Sequence, residues 1–222
     1  MKKKTLALLL VLVMIFGISV GGTIAYLTDK ETVTNTFTVG DVQIKLDELK
    51  VDEYGKPEGN ERIEGVRDGK DYTNTYKLVP GTSYTKDPTV TVLKGSEPSY
   101  IRNIVTVTFD NVLTDAQLAT QLDGIFEGES EKWVRVDKTV TVENEKTVIT
   151  YEYRYTEIAD ARTAEVKLDP LFTGFVIPGT MDVTALGGFK LDVVAHAIQS
   201  ASFDDAADAW GHWPTEEYTY II

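Results

Sequence analysis

The chain has 222 residues, 35 of them acidic and 22 basic, with a formal net charge of −13 and no cysteine. Such an acidic chain is a poor match for nucleic-acid phosphates or an anionic membrane surface, both of which call for basic clusters. The lack of cysteine excludes thiol catalysis, thiolate metal sites and disulfide bracing. It suits an exported protein of a cell without an oxidative folding compartment, such as a Gram-positive bacterium.

Lys2, Lys3 and Lys4 form a basic start, followed by an uncharged, mostly apolar run from Leu6 to Val20. Gly21, Gly22, Thr23 and Ala25 come next. That is the order of a secretory signal peptide. The run is short for a membrane span, which needs about 20 residues. Small residues at Thr23 and Ala25 place the cleavage between Ala25 and Tyr26. Loss of the three lysines then takes the net charge from −13 to −16.

The remainder reads as mainly β, with Thr, Val, Tyr and Ile in alternation between Gly, Pro, Asn and Asp. Phe37 and Val39 share one parity, whereas Val42, Ile44 and Leu46 share the other. The phase change at Gly40-Asp41 predicts a bulge or corner. Val51 to Asp71 is polar and lacks an apolar period, so it reads as a long surface insertion. Tyr72 to Val79 is expected as a strand, ended by Pro80-Gly81 in a type II turn. Tyr84 to Leu93 is expected as another strand, with Pro88 marking an edge or bulge.

Ile101, Val105, Val107 and Phe109 alternate inward in a clear strand. Val134–Val142 and Lys146–Tyr155 flank Glu143-Asn144-Glu145 as a hairpin, with Ile149, Tyr151, Tyr153 and Tyr155 on one face. Phe189, Leu191, Val193, Ala195 and Ala197 alternate in a last long strand. Two short helices interrupt this pattern. Thr114 caps the first, and Ser202 with Asp205 three residues later forms a capping box for the second. Many short strands and few helices predict an all-β, antiparallel β-sandwich or barrel in a single domain, residues 39–222.

Candidates for chemistry are sparse. The two histidines, His196 and His212, lie outside any HExxH pattern. With one carboxylate they could form a three-ligand zinc site in principle. His196 shares parity with Lys190 and Asp192, which places it on the outer face of its strand. Ser200 and Ser202 lie near it without a nucleophile-elbow pattern. Asp204, Asp205 and Asp208 offer oxygen ligands for calcium, or complement the dipole of the helix they precede. No residue is assigned to catalysis, to a metal or to a cofactor.

Several blocks together resemble the TasA/camelysin family. They are GGTIAYLTDKETVTNTFTVGDVQIKLDE from Gly21, and a PG-x-x-x-x-K-x-P-x-V-x-V block at Pro80, Gly81, Lys86, Pro88, Val90 and Val92. YIRNIVTVTF from Tyr100 is a third. The fourth is Ala195, Ala197, Ile198 and Gln199 before FDDAADAW. The resemblance implies a jelly-roll β-sandwich and cleavage by a SipW-type signal peptidase. It also implies a structural role in biofilm matrix fibres, in the extracellular matrix or at the cell surface. Polymerisation would pair the mature N-terminal segment with the next subunit's sheet, and an accessory assembly protein is a further possible partner. Some members are described as camelysin-type metallopeptidases, and no zinc motif here supports that activity.

The polymer reading also has a physical basis. Cleavage frees Tyr26–Thr38, in which Thr28, Thr32, Thr34, Thr36 and Thr38 alternate with Val33 and Phe37. Such a segment has extended propensity but little power to fold alone. Donated to an open sheet edge, it would satisfy that edge's unpaired N–H and C=O groups. Val33 and Phe37 are the side chains expected to fill acceptor pockets. Donor and acceptor surfaces differ, so the contact is head-to-tail and does not close. A camelysin-like peptidase and a monomeric carbohydrate-binding jelly roll are the alternatives.

Overall fold

A computed structural model describes residues 41–64, 74–115, 117–118, 124–180, 182, 188–212 and 220–221. All belong to one compact unit, Gly40–Ile222. Ala25, Tyr26, Val33, Phe37 and the phase change at Gly40 lie outside the described residues.

The fold is an all-β, antiparallel sandwich, jelly-roll-like in character. Twelve strands are described: β1 (Ile44–Val51), β2 (Pro57–Glu64), β3 (Ser83–Thr85), β4 (Thr89–Val92), β5 (Ser99–Phe109), β6 (Phe126–Glu127), β7 (Trp133–Glu143), β8 (Lys146–Tyr155), β9 (Val166–Lys167), β10 (Gly174–Val176), β11 (Phe189–Gln199) and β12 (Tyr220–Ile221). They form a five-stranded sheet in the order β12-β11-β5-β8-β7, a four-stranded sheet β2-β1-β4-β9, and a three-stranded sheet β3-β10-β6.

Strand β5 shows why the larger sheet forms. Its residues alternate strictly between buried and half-buried, with Ile101, Val105, Val107 and Phe109 fully inside. Period-two burial is what a strand with one covered face requires. β8 continues that inner face with Ile149, Tyr151 and Tyr153, and β11 with Val193 and Ala195. Ile44 and Leu46 of β1, Val90 and Val92 of β4, and Phe175 of β10 complete one core with them. The expected hairpin is present. Asn144 and Glu145 both have positive φ, 51° and 63°, as a two-residue type I′ turn demands. The Pro80-Gly81 turn also holds: Thr82 N–H donates to the Val79 carbonyl at 3.2 Å, and Gly81 has φ +79°.

Four expectations are corrected. The stretch read as a surface insertion contains β2, paired antiparallel with β1. Its residues are polar because it is an exposed edge strand, not because it lacks structure. It is held by Arg62, which donates to Asp87 Oδ2 at 2.6 Å, to Thr89 Oγ1 at 3.0 Å, and to the Asp47 carboxylate. Next, residues 74–79 of the expected strand Tyr72–Val79 are irregular, and 72 and 73 are not described. The Tyr84 hydroxyl takes the place of a strand partner there, accepting from Val79 N–H and donating to the Lys77 carbonyl, each at 2.7 Å.

Third, Tyr84–Leu93 is not one strand. It breaks at Lys86-Asp87-Pro88 into β3 and β4, which belong to different sheets. Proline cannot donate to a ladder, so the break falls where the chain changes sheets. Finally, the second helix is α1 (Ala206–Gly211), and its cap is Asp205, which accepts from Asp208 N–H at 2.8 Å. Ser202 ends a 3-10 turn (Ser200–Ser202) ahead of it. Thr114 does cap the first helical turn: its Oγ1 accepts from Gln117 N–H at 3.4 Å, and the Gln117 side chain reaches back to Thr114 N–H at 2.8 Å.

Candidate functional site: the open edge of the larger sheet

Among the described residues β7 pairs only with β8 and forms one border of the five-stranded sheet. It is 11 residues long, and every residue after Trp133 is exposed except half-buried Lys138. Alternate residues of such a border turn their N–H and C=O groups away from the sheet. The side chains are unusually apolar for that position. Val134, Val136, Val140 and Val142 are 48, 45, 44 and 58% exposed.

The pairing register shows which face each valine occupies. Val140 lies opposite buried Ile149 and Val142 opposite buried Thr147, so both continue the core-facing side. Val134 lies opposite Arg154 on the other face. A bulge between Arg135 and Asp137 adds one residue at Val136 and shifts the phase. Trp133 anchors one end, with its Nε1–H donating to the Asp169 carbonyl at 3.0 Å and its ring edge-on to Tyr155. Arg135 and Lys138 each sit 5.7 Å from the Tyr151 ring centre. The core-facing side of β7 is therefore a strip of Lys138, Val140 and Val142 that overhangs the sandwich.

Other borders are less suited to accept a strand. β2 is charged, with Lys50 of β1 reaching Glu58 and Glu61 upon it. β9 and β12 are two residues each as described. Charged and short edges discourage pairing.

The residues singled out for chemistry divide between β11 with the turn after it and α1. His196 is on the outer face of β11, as expected, but is half-buried. Its Nδ1 accepts from Arg102 Nε–H at 3.1 Å, and the Arg102 guanidinium lies 4.7 Å from the ring centre of buried Trp210 in α1. Burial, together with the Arg102 charge, pushes the His196 pKa down to about 4; nearby Glu152 opposes this. His212 lies at the end of α1, with Nδ1 2.9 Å from the Asp208 carbonyl and its ring stacked on Phe203. Asp205 and Asp208 serve the helix cap, and Asp204 N–H donates to Asp208 Oδ2 at 3.3 Å. Ser200 Oγ donates to the Pro98 carbonyl at 2.9 Å. Among the described residues no group of three or more His, Asp and Glu is arranged to hold a metal.

Comparisons with known protein families, with curated proteins and with solved structures find no match for this chain.

The valine border was missed by sequence reasoning. Val134, Val136, Val140 and Val142 were visible as alternating apolar residues, which ordinarily signals burial. Only the strand order shows that nothing pairs with β7 on its far side among the described residues.

Proposed function

We propose that this chain is the secreted structural subunit of an extracellular fibre, polymerising head-to-tail by strand donation. The observation that carries the reading is the long, apolar, open border at β7. Tyr26–Thr38 is a 13-residue segment of extended propensity, and β7 offers an 11-residue border. A donated strand of that length would satisfy the free backbone groups and cover the valine strip. Val33 and Phe37 share one face of the donated strand and would pack along the core-facing strip of Lys138, Val140 and Val142. Burying a Phe contributes about 1.5–3 kcal/mol, so each junction depends noticeably on Phe37. The resemblance to the TasA/camelysin family agrees with this reading and adds the matrix of a biofilm as its setting.

Two variants test it. Phe37→Asp disables the donor and Val140→Lys disables the acceptor. Each alone is expected to stay a folded monomer by circular dichroism and to form no fibres by electron microscopy. Mixed together they are expected to give a dimer and no fibre, because one good donor and one good acceptor remain. Fibres from either variant alone, or from protein lacking Tyr26–Thr38, would refute strand donation at β7.

A further inference from the structure

Three polar side chains meet inside the smaller half of the sandwich. Glu48 shares the core-facing parity of Ile44 and Leu46 on β1 and has no solvent exposure. Lys86, at the break between β3 and β4, is 3% exposed, and its Nζ lies 2.6 Å from Glu48 Oε2. Asn74 Nδ2 donates to the other oxygen, Glu48 Oε1, at 2.8 Å, and also to the Leu49 carbonyl at 2.8 Å. Asn74 Oδ1 accepts from Val51 N–H at 3.0 Å. The amide orientation is settled by its partners, since Val51 N–H can only donate and the other two groups can only accept.

A buried ammonium–carboxylate pair gains little stability, because desolvation consumes most of the attraction. The chemistry around this pair is more specific than an ion pair needs. An amine and a primary carboxamide are bridged by the two oxygens of one carboxylate. The carboxamide oxygen is polarised by a backbone N–H. Tyr84 is fully buried, Tyr76 packs edge-on to it and Phe175 stacks on it, with ring centres 5.7 and 5.1 Å away. The Tyr76 hydroxyl donates to the carbonyl of Thr85, next to Lys86. Glu48 and Lys86 are buried and Asn74 is half-buried, and this aromatic setting strengthens each charge–dipole interaction.

We propose that Lys86 and Asn74 form an intramolecular isopeptide bond, with Glu48 as the proton-transferring catalytic residue. Glu48 takes a proton from the Lys86 ammonium. The freed Nζ lone pair attacks Asn74 Cγ, and Val51 N–H holds the oxygen on which negative charge gathers. Glu48 then delivers a proton to Nδ2, the Cγ–Nδ2 bond breaks, and ammonia leaves. Lys86 gives up two protons in all. One departs with the ammonia, and the other stays on Glu48 as a neutral acid beside the new amide. No oxidant, metal or further reactant is needed. The bond ties the irregular segment at Asn74 to the point where the chain changes sheets. It supplies a covalent brace in a chain with no cysteine.

The test is the mass of the full chain, measured under denaturing conditions. The expected mass is below that of the sequence by one ammonia. Trypsin should yield a branched species joining Asp71–Lys77 to Leu78–Lys94, uncut after Lys86. Asn74→Asp should give the same branch with loss of one water. Glu48→Gln should slow linkage at least about a hundredfold, the scale of general acid–base catalysis. Lys86→Arg should give the unlinked mass. Because the mass is read on denatured chain, a folding defect is scored separately by circular dichroism of the same sample. A folded wild-type chain with the full sequence mass and free cleavage after Lys86 would overturn the proposal. So would loss of ammonia without a branched peptide, which signals cyclisation at Asn74 alone. Undiminished linkage in Glu48→Gln would overturn the role given to Glu48.

Discussion

Replacing Arg62 by Met is expected to release β2 from the four-stranded sheet. The guanidinium is largely covered, with 22% of its side chain exposed, and its partners Asp47 and Asp87 are 6 and 13% exposed. Burial works against its charge, but the hydrogen bonds it donates to Asp87 and Asp47 hold the Arg62 pKa above its ordinary value. It also donates to the backbone carbonyls of Asp47 and Asp87, at 3.3 and 3.1 Å. Met keeps the stem and removes every one of these bonds. Asp87 then loses its cation and Asp47 keeps only Lys45, whose Nζ lies 3.4 Å away; stranding a nearly buried carboxylate costs about 3–5 kcal/mol. For a domain of this size each kcal/mol lowers Tm by about 2–4 °C, so the expected fall is roughly 6–20 °C. Thermal melts followed by circular dichroism measure it, with limited proteolysis between residues 57 and 64 as a local readout. Lys50→Ala is the control, since its pairs with Glu58 and Glu61 lie at the surface and should leave the melt unchanged. A fall under about 2 °C for Arg62→Met would mean that the network behaves like ordinary surface pairs, and the reasoning would fail.

Further outcomes follow from the same structure. His196 is neutral when folded, with a pKa of about 4 against an ordinary 6.5. The unfolded chain therefore binds the extra proton first, and stability should fall as pH drops from 6.5 to about 4. The groups facing it are Arg102 on β5 and Glu152 on β8, so His196→Gln should flatten that limb of a urea-denaturation series. Glu145 adopts φ +63°, which costs a non-glycine residue, so Glu145→Gly should stabilise the hairpin by a few tenths to about 1 kcal/mol in chemical denaturation. Gly55 has φ +75°, and an added Cβ would lie 2.8 Å from Tyr84 Cα, so Gly55→Ala should cost at least about 1–3 kcal/mol in the same assay.

Local chemistry explains what was legible in the sequence. Strict alternation in β5, β8 and β11 announced strands with one buried face, because the pleat sends successive side chains to opposite sides. Asn144 and the Pro80-Gly81 pair announced their turns, because φ preference belongs to single residues. The all-β class follows from these alone. Edge strands and sheet changes were not legible in the same way. β2 carries no apolar period because it is exposed apart from half-buried Arg62 and Ile63, so its pairing to β1 rests on backbone bonds and on Arg62. The break between β3 and β4 places neighbouring residues in different sheets, which no periodicity records.

The same division holds for the sites. The sequence by itself determined an acidic, cysteine-free chain, and its expectations of a signal-like start and a donor segment at Tyr26–Thr38 rest on residue order alone. Each of these is a property of residues adjacent along the chain. Only the tertiary structure decided that β7 is a border, since a valine row looks alike whether or not another strand lies beyond it. Only it brought Glu48, Asn74 and Lys86 together across 38 residues of chain. Reactivity there depends on distance and dryness, and both arise when separate strands close around one core.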